Sequence, residues 1–184
     1  PSPSAAADAA DPDLDDSGWD ELTVPGHWVL DPAGRYNGPI YTNIAYPIPL
    51  DPPHVPDANP TGDYRRQFVV PERWGPVDRV LLRFDGVESY AVAHVNGAPA
   101  GVVTGSRLPL ELDVTALVRP GPNLLHVRVF QWSAQTYVED QDQWWLPGLF
   151  RSVSLVGRPA DALDDVWLRA DYEPATGRGL LDPE

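Results

Sequence analysis

The sequence contains no cysteine and no methionine, and only 13 lysine and arginine residues stand against 27 aspartate and glutamate residues. Without cysteine, neither a disulfide framework nor a thiolate metal site can form, and a reducing compartment is permitted. The formal net charge of -14 argues against nucleic acid as a partner, because phosphate-binding surfaces need clustered basic side chains. No apolar run approaches the ~18 residues of a membrane span, so we expect a soluble, cytoplasmic chain with no membrane partner.

The composition changes along the chain and indicates one domain with two flanking segments. Residues 1–16 are proline, serine, alanine and aspartate without periodicity, which predicts a disordered acidic leader. Residues 17–159 are long enough for one domain with a core. Residues 160–184 hold one fresh strand-like run, 165–172, and a polar tail, as expected for the start of a truncated second domain. Because the chain starts at Pro1 without a methionine, we expect an excised or processed piece of a longer polypeptide.

Short apolar runs separated by turn residues dominate the central region. From Trp19 to Pro60, prolines and aromatics alternate without helical spacing, which predicts extended surface coil and neither ladder nor helix. The dipeptide Asn96-Gly97 between two β-rich runs indicates a tight hairpin. No segment has the spacing of apolar residues that an amphipathic helix requires. Many short apolar runs separated by turn residues therefore predict an all-β antiparallel sandwich. The strands are expected at 64–70, 79–84, 90–95, 100–103, 110–114, 124–132 and 150–156.

The loop 139–151 combines three carboxylates, two adjacent indoles and a Pro-Gly turn. Aromatic faces cover the apolar side of a pyranose while fixed polar groups bind its hydroxyls, so this composition is typical of a sugar site. Glu139, Asp140 and Asp142 could also form a hydrolytic acid/base pair. Neighbouring loop carboxylates are more often turn formers, capping groups or cation ligands, and we favour that interpretation.

Five segments occur in the order found in one enzyme family. They read Tyr-Thr-Asn-Ile-Ala-Tyr-Pro-Ile-Pro at 41–49, Asn-Pro-Thr-Gly at 59–62, Phe-Asp-Gly-Val-Glu-Ser at 84–89, Gly-Ser-Arg-Leu-Pro at 105–109, and the loop 139–151. Together they resemble the N-terminal domain of glycoside hydrolase family 2 β-galactosidases, from about Trp19 to Pro159. The resemblance implies a jelly-roll, galactose-binding-domain-like fold, followed from residue 160 by the start of an immunoglobulin-like second domain.

The resemblance also assigns candidate site residues. Asn43 matches the family asparagine that contacts substrate hydroxyls, although an Asx-turn asparagine is the alternative from sequence alone. Asp142 matches the family aspartate that touches galactose and a bound sodium ion. Trp144 and Trp145 are further substrate-binding candidates. Adjacent strand residues face opposite ways, so one can pack inward while the other meets ligand, and family members vary at the second position.

The implied function belongs to a complete polypeptide: retaining hydrolysis of terminal β-D-galactose from β-galactosides by two glutamates on a (β/α)₈ barrel. A barrel alone needs ~250 residues, so this chain of 184 holds no catalytic residue. The family further implies sodium at the site, magnesium elsewhere in the parent, contacts with the remaining domains, and a homo-oligomer. Two alternatives are a stand-alone carbohydrate-binding module and a structural domain supporting a related glycosidase such as a β-glucuronidase.

Several other polar residues are interpreted as structural. Arg107 lies in a tight loop and is expected to bind backbone carbonyls or Asp113. Trp28 and Trp132 are expected in the core. The histidines are far apart in sequence and lack i, i+4 spacing, so no zinc site is predicted; they are His27, His54, His94 and His126.

Overall fold

The structure is a computed structural model that describes residues 9–42, 44–74 and 77–184. Within these residues the fold is all-β, and helical structure is confined to 3₁₀ turns at Trp28–Leu30, Glu72–Trp74 and Ala134–Tyr137. The strands are β1 Ile40–Tyr41, β2 Thr61–Val69, β3 Arg79–Phe84, β4 Tyr90–Val95, β5 Ala98–Val103, β6 Leu110–Asp113, β7 Pro122–Phe130, β8 Trp144–Trp145, β9 Val153–Arg158, β10 Leu168–Glu173 and β11 Arg178–Pro183.

Two antiparallel sheets form a jelly-roll sandwich, as the sequence predicts. One sheet has the order β2-β7-β4-β5 and the other β6-β3-β9. Alternate residues of each strand point into the space between them, because the side-chain period of a strand is two. The buried core includes Leu82 and Phe84 from one sheet, and Ala91, Val127 and Val129 from the other.

The hairpin between β4 and β5 forms at the predicted dipeptide. Asn96 and Gly97 have φ values of 53° and 82°. Two successive residues with positive φ match the twist of the flanking strands, which is the reason for the Asn-Gly preference. The second strand of this hairpin begins at Ala98, two residues before its predicted start.

The proline-rich segment contributes a short ladder that the sequence did not predict. Ile40 and Tyr41 pair antiparallel with Trp145 and Trp144. Both residues of β1 keep their backbone N–H groups, since neither is a proline, and this permits pairing. The expectation of coil without ladder is therefore wrong at these two positions. A second apolar cluster forms beside the ladder, containing buried Ile48, Trp132 and Trp145 with partly buried Ile40, Tyr46, Val55 and Tyr137.

Residues 9–16 lie against the outer face of the four-stranded sheet. The guanidinium of Arg65 on β2 donates to the backbone carbonyls of Ala9, Asp11 and Leu14, and to the carboxylate of Asp16 at 2.7 Å. Five donors in a fixed fork allow one arginine to bind several chain positions. These residues belong to the segment expected to be disordered. Their hydrogen bonds to Arg65, which is distant in sequence, hold the backbone of residues 9–16 against the sheet.

Residues 160–184 form a separate hairpin, β10–β11, in place of the single strand and polar tail expected there. Uncharged residues alternate with charged ones along β10, so one face of the hairpin carries Leu168, Ala170 and Tyr172. Their partners on β11 are Pro183, Leu181 and Gly179. The large side chains of this face are exposed. A two-stranded ribbon with an open apolar face is marginally stable alone.

None of the described residues belongs to a helix with the length and apolar character needed to cross a membrane.

Candidate functional site

The β1–β8 ladder brings together two of the segments on which the sequence analysis relied. Tyr41 lies opposite Trp144, and Ile40 opposite Trp145. Thr42 and residues 44–46 follow β1, and the chain enters β8 from residues 139–143. These two stretches therefore lie side by side, although about a hundred positions separate them in sequence.

A hydrogen bond connects the two stretches at the candidate ligand carboxylate. The phenol of Tyr41 donates to Oδ1 of Asp142 at 2.7 Å. This bond raises the pKa of the Tyr41 phenol, because deprotonation would place a second negative charge beside the carboxylate. The bond uses Oδ1 of Asp142, and among the described residues none donates to Oδ2. Sequence reasoning missed Tyr41, and its position next to Thr42 and Asn43 in the first family segment was the only available signal.

The two adjacent tryptophans face opposite ways, as expected for neighbouring strand residues. Trp144 is 53% exposed, and its ring lies 5.4 Å from that of Tyr41. Trp145 is 8% exposed and makes edge-to-face contacts with Trp132 and Tyr46, at centroid distances of 5.6 and 5.7 Å. Trp144 therefore presents an exposed aromatic ring near Asp142. Trp145 instead packs into the second apolar cluster, against Trp132 and Tyr46.

A shallow cleft separates the two stretches. It has a volume of about 140 Å³ and is lined by Thr42, Ile44, Ala45, Tyr46, Asp140, Gln141 and Asp142. Complete ligand pockets typically enclose about 300–1,000 Å³, so this cleft has the dimensions of part of a site. Asn43, the other predicted sugar contact, lies outside the described residues.

Asp142 offers the chemistry that a hard cation such as sodium requires, since its carboxylate oxygens are hard ligands. The described ranges contain no group of three or more histidine, aspartate or glutamate side chains that could hold a metal ion. Asp142 alone is not a complete metal site, so a cation at this carboxylate would need ligands in addition to it.

The three loop carboxylates have different surroundings. Glu139 accepts a hydrogen bond from the hydroxyl of Ser106 and lies 3.8 Å from the guanidinium of Arg107. Asp142 is bound by Tyr41, and Asp140 lines the cleft. Glu139 is thus part of the ion-pair network that supports the loop, which agrees with the structural interpretation over a hydrolytic pair.

Arg107 has partners that differ from the expected one. It donates to Oε2 of Glu88 at 2.9 Å, whereas Asp113 accepts from the backbone N–H and hydroxyl of Thr115. The expected pairing with Asp113 is wrong, because the fold places the carboxylates of Glu88 and Glu139 beside the guanidinium of Arg107. Glu88 was not singled out in the sequence; burial raises its pKa to about 7, against the opposing effect of the Arg107 charge.

Two histidines that are distant in sequence meet on the outer face of the four-stranded sheet. His94 and His126 are opposite each other on β4 and β7, with their Nδ1 atoms 3.3 Å apart. Nε2 of His126 bonds to Oδ1 of Asp63 at 2.8 Å, and Arg128 donates to the same oxygen. The spacing of these histidines in sequence does not indicate this contact, because the pairing of β4 with β7 sets their separation in space.

Comparison with known proteins identifies the family. Residues 2–159 match the family model described as "Glycosyl hydrolases family 2, sugar binding domain". The chain is 59% identical over 173 residues to a β-galactosidase of Arthrobacter sp. (strain B7), covering 93% of this chain and 17% of that protein. It is 46% identical over 149 residues to a β-galactosidase of Kluyveromyces lactis, covering 80% of this chain and 14% of that protein. The chain belongs to the sugar-binding domain family of the family 2 glycosyl hydrolases.

Solved structures agree on the fold. A Bacteroides uniformis β-glucuronidase 2 aligns with a TM-score of 0.65 at 23% identity, covering 89% of this chain and 18% of that chain. A β-glycosidase from Bacteroides vulgatus aligns with a TM-score of 0.63 at 20% identity, covering 92% of this chain and 20% of that chain. At these identities the likeness concerns the fold alone.

Proposed function

We propose that this chain is the N-terminal domain of a β-galactosidase and contributes one wall of the galactose site. The observation that carries the proposal is the placement of Asp142, bonded to Tyr41 and adjacent to the exposed ring of Trp144. The sequence relatives at 59% and 46% identity are β-galactosidases, and the chain spans 17% and 14% of their lengths. Hydrolysis of terminal β-D-galactose would therefore belong to the complete polypeptide.

In this proposal each side chain has a distinct task. The free oxygen of Asp142 accepts a hydrogen bond from a galactose hydroxyl, and Tyr41 holds the carboxylate in the orientation this requires. Trp144 covers an apolar face of the sugar or its aglycone. Asn43 can donate to one hydroxyl and accept from another. Trp145 acts indirectly, through packing beneath the loop.

Asp142 would also supply one ligand to a sodium ion. When bound, the cation provides a positive charge that orients sugar hydroxyls through their oxygen atoms. Magnesium, in the same proposal, binds elsewhere in the parent protein.

Bond cleavage would rest on residues outside this chain. A retaining glycosidase places two carboxyl groups about 5–5.5 Å apart on opposite sides of the scissile bond. Glu139 is engaged by Ser106 and Arg107, which fits a role in supporting the loop. The acid and the nucleophile are therefore assigned to the catalytic barrel of the parent.

The hairpin β10–β11 fits the same architecture. Its open apolar face needs a cover, and further strands of an immunoglobulin-like second domain would provide one. We assign residues 160–184 to the start of that domain and residues 17–159 to the sugar-binding domain. The remaining domains of the polypeptide are then its partners, in a cytoplasmic homo-oligomer.

The test uses the full-length gene product and the 184-residue chain, each assayed with p-nitrophenyl β-D-galactoside and p-nitrophenyl β-D-glucuronide. We expect the full-length protein to hydrolyse the galactoside with at least a hundredfold larger kcat/KM, and the isolated chain to hydrolyse neither. Preference for the glucuronide would favour the alternative of a domain supporting a β-glucuronidase. Absence of turnover by the full-length protein, with galactose binding by the isolated chain, would favour a stand-alone carbohydrate-binding module.

A further inference from the structure

An ion-pair network connects three loops, one of which is the loop that carries Asp142 and Trp144. Arg107 donates to Oε2 of Glu88 at 2.9 Å and lies 3.8 Å from Oε2 of Glu139. The hydroxyl of the preceding residue, Ser106, donates to the same oxygen of Glu139. Arg151 adds a bond of 2.8 Å from its guanidinium to the backbone carbonyl of Arg107. One arginine is thus bound to, or in contact with, two carboxylates from different parts of the chain.

This network reaches both ends of the loop 139–148. At the start of the loop, Glu139 is bound through its side chain to Ser106 and Arg107. At its end, Gly148 exchanges two backbone hydrogen bonds with Glu88, of 3.0 and 3.1 Å, and the side chain of Glu88 is bound to Arg107. Asp142 and Trp144 lie between these two fixed points.

Glu88 makes the network sensitive to the loss of its arginine. The residue is 8% exposed, and the guanidinium of Arg107 is the cation that faces its carboxylate. Burial disfavours the ionised form and raises the pKa of Glu88 to about 7. Removing one partner of a buried ion pair leaves an uncompensated charge, so the neighbouring backbone must rearrange or the carboxyl must take up a proton.

We propose that Arg107 is a positioning residue that fixes both ends of the loop 139–148 and thereby places Asp142 and Trp144 against the sugar. This inference rests on the proposed function for its catalytic consequence. Its structural part, that Arg107 orders the loop, can be measured separately. Arg107 itself does not line the cleft beside Asp142.

The test compares Arg107→Ala with Arg83→Ala in the full-length protein. Arg83 is a matched control, because it also pairs with two carboxylates, Asp85 at 2.7 Å and Glu111 at 3.2 Å. Its side chain is 39% exposed, against 35% for Arg107. Hydrogen exchange of the peptide covering 139–148 should accelerate about tenfold or more in Arg107→Ala and remain unchanged in Arg83→Ala.

Kinetics with p-nitrophenyl β-D-galactoside provide the second measurement. We expect KM to rise about tenfold in Arg107→Ala while kcat changes less than about threefold, because the loop binds the sugar and the bond-breaking carboxyls lie elsewhere. Arg107→Lys keeps the charge but loses the fork geometry, so its KM should be intermediate. If Arg107→Ala does not fold, Arg107→Gln offers the same test, since it removes the charge that faces Glu88 and Glu139 and keeps most of the side chain.

The outcomes separate the two inferences. Faster exchange in the loop together with a raised KM supports the positioning role. Unchanged exchange in folded Arg107→Ala or Arg107→Gln overturns it and leaves the proposed function intact. Faster exchange with unchanged kcat/KM contradicts both the positioning role and the placement of this loop in the galactose site.

Discussion

The phenol of Tyr41 and the carboxylate of Asp142 are 2.7 Å apart, in a hydrogen bond between residues that are 101 positions apart in sequence. The bond forms because β1 and β8 pair in the register that places Tyr41 opposite Trp144. It orients the one carboxylate that the proposed function requires. The consequences of removing it, and of altering its neighbours, can be measured.

Tyr41→Phe in the full-length protein should lower kcat/KM for a β-galactoside by about threefold to tenfold. The substitution removes one hydrogen bond to a charged acceptor, and the exposure of both groups to solvent keeps its contribution small. Tyr36→Phe is a matched control, because the Tyr36 hydroxyl also donates to an aspartate, Asp20, at 2.7 Å. Equal kinetic effects of the two substitutions would remove Tyr41 from the site.

Substitution of Trp145 should lower the stability of the chain, whereas substitution of Trp144 should weaken substrate binding in the full-length protein. Trp145→Ala should lower the free energy of unfolding of the 184-residue chain by about 3 kcal/mol, because it empties a buried aromatic cluster. Trp144→Ala should change that free energy by less than about 1 kcal/mol. Urea unfolding followed by circular dichroism provides both values. In the full-length protein, Trp144→Ala should raise KM for aryl galactosides; a large loss of stability from Trp144→Ala alone would contradict the assignment.

Glu88 should make stability depend on pH in a defined direction. Its pKa rises from 4.5 to about 7 on folding, so the folded state binds this proton more tightly than the unfolded chain does. The stability that protonated Glu88 contributes is therefore complete below pH 4.5 and is lost as the pH rises towards 7. The difference between the two limits is on the order of 3 kcal/mol.

Glu88→Gln tests this directly, since the amide does not titrate. Between pH 5 and pH 8, the wild-type chain should lose more unfolding free energy than the variant does, as measured by urea denaturation at each pH. The other acidic residues contribute equally to both proteins, so the difference between the two plots of unfolding free energy against pH reports Glu88 alone. Parallel pH profiles for the two proteins would show that Glu88 titrates near its ordinary value.

The sandwich itself could be predicted from the sequence, because strand periodicity and turn residues are local properties. Leu125, Val127 and Val129 alternate with polar or outward residues along β7, and Asn96-Gly97 marks the β4–β5 hairpin without reference to any distant residue. Likewise, the opposite orientations of Trp144 and Trp145 follow from their adjacency in a strand. In each case a few neighbouring residues determine the outcome.

Contacts that depend on register between distant strands could not be predicted in this way. The meeting of His94 with His126, and of Tyr41 with Asp142, requires knowledge of which strands pair and at which residue. For Arg107 the sequence suggests backbone carbonyls or the nearby Asp113 as partners, whereas Glu88 and Glu139 reach it through the folding of separate loops. The family resemblance supplied Asp142 but not the residues that hold it.

The most direct test of the account compares Asp142→Ala with Asp140→Ala in the full-length protein, by kcat/KM for a β-galactoside at several sodium concentrations. Asp142→Ala should cost about 2–5 kcal/mol of transition-state stabilisation and alter sodium dependence, because it removes a ligand of both sugar and cation. Asp142→Asn should be milder, since it keeps one oxygen, and Asp140→Ala should change kcat/KM less than about threefold. Equal kcat/KM for the two alanine variants, with sodium dependence unaltered in both, would mean that Asp142 only forms a turn and that this loop is not a wall of the galactose site.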